Sequence, residues 1–523
     1  MSVGEALRTL AEYKVSPYVS VVIFEGADAK LRYHVREPPL NETTLEILKH
    51  VLNRIYSDVD LIRRFSEVKS FDEALHEAEE VIQSLLKRKW AFPFKHFGKR
   101  LRDVSDEDLG SVAYYLARDL SGYGVLDPLL RDPHVEDITC DGVEIPVYVF
   151  HDMYEWLETN VVFTDVTSLE KVVRRLALRS GQEPTVARPI VEGVLRPEGY
   201  RVHIVLDVVS RRGHSFSIRK FRETPFTISE LISRGTLDPA VAALLWLAIE
   251  NKQGIVIYGP TGSGKTTLLN ALTVFLPPEA KIVSAEDTPE IFLPFHENWM
   301  SMVTRLSVNP LIQDVNLQTQ LESAMRQRPD VLILGEIRSR EAYAFFQGVS
   351  TGHGGLTTVH AESLESLVRR LYSPPMSVPK SLIATAKLFV QTLRLTLRGE
   401  VVRKVTLIHE TSDYNPSEDL ITFKVVVKWF KEDDSWRLNL RSSKLIEAIA
   451  KSSMMSYDEV LEDLSRRATI LYYAAVKNVD TVTLYTLVRT YRKKPHQIYE
   501  TVLKSLGSSY GMKLYDEEEK RIL

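Results

Sequence analysis

One cysteine, Cys140, stands in 523 residues. A single thiol excludes an intramolecular disulfide and any multi-cysteine metal site, and a small buried apolar role suits it better than reactivity. Long hydrophobic runs are missing too. AVAALLWLAI (Ala240–Ile249), among the longest, is about half of the roughly 20 residues a membrane span needs. The opening MSVGEALRTLAEYK mixes charges through its first turns and lacks the apolar core of a signal peptide. No charge of one sign dominates: 66 Lys and Arg against 70 Asp and Glu leave a net −4. Bulk charge therefore does not advertise nucleic acid as a partner. These absences predict a soluble, cytoplasmic chain, and its 523 residues predict about three or four domains.

What is present centres on GIVIYGPTGSGKTTLLN (Gly254–Asn270), which reads as a buried strand, a glycine-rich turn and a helix start. Gly259, Gly264, Lys265 and Thr266 fill G-x-x-x-x-G-K-[ST], the P-loop. Backbone N–H groups wrap a polyphosphate only where side chains leave room. Gly259, Pro260, Thr261, Gly262, Ser263 and Gly264 form that cradle, with Lys265, Thr266 and Thr267 opening the helix. Its positive N-terminal end adds to the pull, Lys265 reaches the β- and γ-phosphates, and the Thr266 hydroxyl ligates Mg²⁺. The flanking strand and helix make an accidental match improbable.

Patterning predicts an N-terminal module over 1–104, with strands at Val19–Glu25 and Lys30–Val35 followed by amphipathic helices. Its basic, aromatic stretch Leu86–Arg102 is expected to be a solvated face over an aromatic core rather than a nucleic-acid or lipid patch. A second, α+β module spans 105–221, opening with a helix capped by Ser105 and containing a helix that ends at Gly181. Its arginines include Arg188, Arg196, Arg201, Arg211, Arg212 and Arg219, one or two of which could complete a nucleotide site across a boundary. A linker at 222–227 follows, then an ATPase core over 228–400 whose alternating strands and helices indicate a parallel sheet. A C-terminal region of strands and then helices spans 401–523 and carries no active-site pattern.

Three constellations accompany the P-loop. In KIVSAEDTPEI (Lys281–Ile291) a strand delivers Glu286, Asp287 and Glu290 to a sheet edge, where they would face phosphates and Mg²⁺. In RQRPDVLILGEIRS (Arg326–Ser339) an apolar strand ends at Glu336, a Walker B carboxylate able to orient or deprotonate the attacking water. Gly335 stands where the usual Mg²⁺-organising Asp would be, so Thr266, water and the acids near Glu286 are left to hold the metal. In TGHGGLTTVHAES (Thr351–Ser363), His353 and His360 flank a strand without helical ligand spacing or a neighbouring Cys. A sensor hydrogen-bonded to the γ-phosphate suits them better than zinc.

In their order and spacing these boxes resemble those of the type II/type IV secretion (traffic) ATPase family. GYGVLDPLLRDPHVEDITCDG and HSFSIRKF resemble its archaeal pilus, archaellum and secretion branch. The likeness is good from about Ser105 to Leu371 and weaker outside. It implies a RecA-like P-loop ATPase core in an α/β fold, an N-terminal α+β (PAS-like) domain, an additional N-terminal module and a C-terminal β plus helical region. It implies a ring-shaped homohexamer using ATP and Mg²⁺, without the four-cysteine zinc element and so with no zinc. Such a ring works at the cytoplasmic face on a polytopic inner-membrane platform protein, with no nucleic acid expected. By motif matching Glu336 is the catalytic glutamate, Glu286 and Asp287 fall in the acid box, and His360 closes the His box. Arg201 and Arg326 match best as arginine fingers, Arg219 and Arg328 less well. The presence of the first module favours assembly over retraction.

Two other readings stand beside the filament or secretion motor. One is a DNA-transfer or nucleic-acid-translocating ATPase of the same superfamily, which a basic channel loop and an Asp-Glu Walker B would favour. The other is a non-hydrolysing nucleotide switch, against which the retained Glu336 argues.

Overall fold

A computed structural model describes residues 6–68, 70–87, 105–220, 225–305 and 313–507. The basic stretch after Lys87 and part of the expected linker lie outside them. The chain divides into two compact units, Met1–Arg222 and Glu223–Leu523.

The first unit is built on nine strands: β1 (Ala6–Lys14), β2 (Ser20–Gly26), β3 (Leu31–Arg36), β4 (Val135–Cys140), β5 (Pro146–His151), β6 (Glu155–Val162), β7 (Ile190–Val194), β8 (Arg201–Val205) and β9 (Ser215–Arg219). They lie in one sheet in the order β1-β2-β3-β6-β5-β4-β9-β8-β7. Here the structure departs from the boundary expected at 104/105. β3 pairs in parallel with β6, Arg32 opposite Glu158 and Tyr33 opposite Thr159. Asn160 reinforces the seam, accepting from Val35 N at 2.8 Å and donating to Val35 O at 3.0 Å. An unpaired edge would leave these backbone groups without partners. One apolar core joins Val21, Ile23 and Tyr33 to Leu116, Ile138, Val149 and Ile218. Cys140 is buried in it, as expected of a lone thiol, and burial pushes its pKa up to about 11.

Local signals in this unit act as read. Ser105 and Asp108 form a capping box at the start of helix Asp106–Leu120. Gly181 closes helix Val166–Ser180 in the left-handed region, φ 67°.

The second unit holds β10 (Gly254–Gly259), β11 (Ile282–Glu286), β12 (Trp299–Val303), β13 (Val331–Ile337), β14 (Gly354–His360), β15 (Leu388–Leu397), β16 (Glu400–Asn415), β17 (Leu420–Phe430) and β18 (Ser435–Leu438). The sheet order is β12-β11-β13-β14-β10-β15-β16-β17-β18. From β12 through β15 every pairing is parallel; β16 to β18 continue antiparallel. The parallel half is the expected RecA-like core, its P-loop strand β10 buried throughout because helices cover both faces. No boundary falls at 400/401. β15 pairs with β16 along its whole length, from Leu388 opposite Glu410 to Leu397 opposite Glu400, so the C-terminal strands extend the ATPase sheet.

The helix Pro239–Glu250 begins at the expected Asp238 cap, which accepts from Ala240 N at 2.7 Å. It is apolar all round because it is covered on every side. Trp246 stacks on Phe275, ring centres 5.2 Å apart, and the buried Arg467 guanidinium lies 4.6 Å from the Trp246 ring centre. Arg467 also donates to Asp463 at 2.7 Å and pairs with Glu250. The C-terminal helices thus complete the core under the ATPase sheet. No helix of the described residues is long and apolar enough to cross a membrane.

Candidate nucleotide-binding site

β10 ends at Gly259 and the helix Lys265–Leu272 starts directly after the turn. Gly262 and Gly264 take left-handed backbone angles, φ 73° and 87°. A Cβ on Gly259 would lie 2.1 Å from the Thr392 carbonyl, so only glycine lets the loop pass β15. Ser263 turns inward, its Oγ 3.0 Å from Thr392 Oγ1. Thr266 and Thr267 are half-buried on the first turn of the helix.

Lys265 is the electrostatic centre. It is only 6% exposed, and its Nζ donates to Pro260 O at 2.9 Å. Burial pulls its pKa down to about 8, against the opposing pull of Glu336 and Glu290. A buried ammonium short of counter-charge is stabilised by any anion the loop admits, and a polyphosphate supplies one.

His360 and Glu336 stand beside it. His360 ends β14 opposite Gly259 of β10. Its Nδ1 lies 3.3 Å from Lys265 Nζ and 3.4 Å from Thr261 Oγ1. An ammonium only donates, so Nδ1 accepts and the ring proton sits on Nε2, which is 3.4 Å from Glu336 Oε1. Burial, then Lys265, lowers the His360 pKa and holds it neutral. His360 therefore bridges the P-loop lysine and the Walker B carboxylate. Arg338 donates to Glu336 Oε2 at 2.8 Å and lies 3.8 Å from Asp287 Oδ2.

Glu286 explains the missing Walker B aspartate. Its Oε1 accepts from Glu290 N at 2.8 Å and Ile291 N at 2.9 Å. Its Oε2 is buried with no hydrogen-bond partner, and burial raises its pKa to about 7. A Cβ on Gly335 would lie 3.3 Å from Glu286 Cγ. The neighbouring strand's carboxylate thus occupies the space beside Gly335. An orphaned buried carboxylate oxygen on β11, beside the Walker B strand, has the chemistry of a divalent-cation ligand, with Thr266 and Asp287 the other expected ligands.

Other expected residues stand elsewhere. His353 precedes β14, at the end opposite His360, and its Nδ1 is 3.0 Å from Gly348 O and 2.9 Å from Thr351 Oγ1. It is satisfied there and does not line the P-loop, which corrects its reading as a sensor. Arg326 and Arg328 are exposed at the amino end of β13, about 17 Å along the strand from Glu336. They cannot serve the phosphate site of their own chain. Arg201 and Arg219 lie in the first unit, directly opposite each other on β8 and β9. Arg201 pairs with Glu192 at 3.0 Å and Arg219 with Asp137 at 2.9 Å.

Three residues escaped the sequence reading. Arg338 was signalled by its place two residues after Glu336, on the same side of the chain. Thr392 and Arg403, which donates through Nε to Gly262 O at 2.9 Å, come from a hairpin with no local motif.

A family model described as type II/IV secretion system protein matches residues 185–415. An uncharacterised Methanocaldococcus jannaschii protein is 35% identical over 471 residues, 88% of this chain and 84% of the relative. A putative conjugal transfer protein of Mycobacterium tuberculosis is 33% identical, covering 50% of this chain and 75% of its own length. Type IV secretion system protein VirB11 of Brucella suis is 30% identical, covering 47% and 74% respectively. With boxes and relatives in agreement, the chain belongs to the type II/IV secretion system protein family.

Proposed function

We propose that the chain is an ATP-hydrolysing motor that powers assembly of a type IV pilus- or archaellum-like filament, or type II-like secretion. The observation that carries it is the meeting of Lys265, His360, Glu336 and Glu286 at the carboxyl ends of adjacent parallel strands. That is where open α/β sheets bind ligands. Lys265 and the loop amides bind and orient the phosphates. Thr266, with Glu286 and Asp287, would hold Mg²⁺, which would supply charge to neutralise the phosphoryl oxygens. Glu336 orients the attacking water and accepts its proton, with His360 and Arg338 fixing the carboxylate in place.

Oligomerisation follows from what the site lacks. Arg326 stands too far from its own phosphate site, so it would act with Arg201 on that of a neighbouring copy, Arg219 and Arg328 being the weaker candidates. A homohexameric ring meets this need. Its action at the cytoplasmic face of a membrane, on a polytopic platform protein, rests on the family resemblance. DNA transfer is the second reading, favoured by the conjugal transfer relative and opposed by the net charge of −4.

Glu336→Gln should cut turnover by a factor of 100 or more while ATP affinity stays within about threefold. Unchanged hydrolysis would sink the assignment. Stimulation of the wild-type ATPase by DNA, rather than by a membrane fraction, would move the reading to DNA transfer.

A further inference from the structure

Among the described residues, one cluster in the first unit gathers atoms that could hold a metal ion. His134, His151 and Asp152 offer atoms that all lie within 4.8 Å of one another. The backbone puts them there: Val135 pairs with His151 across β4 and β5, and Asp152 N donates to His134 O at 2.9 Å.

Counting protons shows why the cluster is unusual. Tyr13 Oη donates its one proton to Asp132 Oδ2 at 2.6 Å, and Tyr33 Oη donates to the same oxygen at 2.5 Å. Tyr13 can therefore only accept from His151 Nε2, 3.2 Å away. His151 then carries its proton on Nε2 and a bare lone pair on Nδ1. Met153 N donates to that Nδ1 at 3.1 Å. Asp152 Oδ1 stands 3.2 Å from the same nitrogen, buried and without a hydrogen bond. Two acceptors face each other with no proton between them. Asp152 Oδ2 is likewise 3.2 Å from His134 Nδ1, and the two imidazoles lie within 16° of parallel.

Ligands held at about 2.0–2.1 Å around a tetrahedral ion stand roughly 3.3 Å apart. The His151 Nδ1–Asp152 Oδ1 separation matches that edge; His134 stands on the carboxylate's other oxygen, with one ligand atom from each residue inside 4.8 Å. A metal-bound histidine also characteristically gives its second ring proton to an oxygen acceptor that fixes its orientation. Tyr13, itself anchored on Asp132, is such an acceptor for His151.

We propose that His134, His151 and Asp152 bind a divalent transition-metal ion of the zinc class, with water completing its shell. Imidazole with carboxylate suits that class. The proposal departs from the expectation of no zinc, which rested on the missing thiolates, because imidazole and carboxylate need none. Binding exchanges the Met153 hydrogen bond for the ion and any His134 ring proton on Nδ1 for solvent. Tyr13, on β1, acts as a positioning residue.

The test strips the full-length chain with a chelator and titrates it with Co²⁺, then with Zn²⁺ in competition, without nucleotide. One equivalent of Co²⁺ should give the visible absorption of a four-coordinate ion, displaced by Zn²⁺. His134→Gln and Asp152→Asn should weaken binding tenfold or more, and Tyr13→Phe by about 10–100-fold. His496→Gln, an exposed histidine outside the cluster, should leave it unchanged. An unchanged circular-dichroism spectrum and thermal melt report that each variant is folded. No Co²⁺ band in the wild type, or wild-type affinity in His134→Gln, overturns the site. Wild-type affinity in Tyr13→Phe overturns the positioning role.

Discussion

The two ends of the parallel sheet in the second unit are made of similar residues and behave differently. At its carboxyl end Lys265, Glu286, Glu336 and His360 are buried or half-buried, and two of them lack what their charge requires. Lys265 is depressed to about 8 and Glu286 raised to about 7 by burial. At the amino end the charges are settled. Asp330 pairs with Lys252 at 2.7 Å and accepts from Lys281 N at 2.8 Å, which together hold its carboxyl below the usual range. His353 is held by Gly348 and Thr351. Unmet electrostatic demand, rather than the mere presence of ionisable groups, marks the end that takes the ligand.

The largest effect expected from this contrast is at Lys265. Lys265→Ala should abolish measurable ATP binding and turnover in nucleotide-binding and phosphate-release assays; retained binding would erase the distinction between the ends. Next comes Glu286. Its pKa is raised on folding, so its contribution falls as pH rises from about 4.5, its unfolded value, through about 7. Glu286→Gln should lower Mg²⁺-dependent turnover at least tenfold, yet raise the melting midpoint at pH 8 by about 2–4 °C. Loss of stability there would show that the charge is already satisfied.

A pH titration sharpens the same point. Free Lys265 loses its proton near pH 8, whereas phosphate favours the charged form, so binding takes up a proton above that pH. ATP affinity should be flat below about pH 7.5 and weaken by up to tenfold per unit above pH 8, measured by equilibrium titration. The smallest effect belongs to the amino end. His353→Gln should change kcat and KM by less than about twofold, whereas His360→Gln, the same change at the other end of β14, should lower kcat.

Much of the site was legible because its determinants are local. The P-loop needs a strand, glycines at fixed offsets and a helix, all in one stretch. Glu336 follows from an apolar strand ending in a carboxylate, and the caps at Ser105, Asp238 and Gly181 from single residues. His353 misled because its box also spans a strand: residues six or seven apart on a strand stand at opposite ends, about 20 Å apart, however similar they look in text. Thr392 and Arg403 were invisible, since a β-hairpin carries no sign of what it will lie against. The shared sheet of the first unit was missed for the same reason, β3 giving no hint that its free edge would find β6.

The sequence alone determined the locally capped helices, the P-loop strand and the chemistry: which residues can cradle phosphate, and that one cysteine could not build a thiolate metal site; β1 escaped it. These rest on short-range propensity and spacing. Tertiary structure decided which strand edges meet and which charges lose their water. It placed Glu286 beside Gly335, left Arg326 at the far end of its strand, and turned Asp152 toward His151. Register and burial are set by packing between distant segments, and burial is what turns an ordinary lysine or glutamate into one short of a partner.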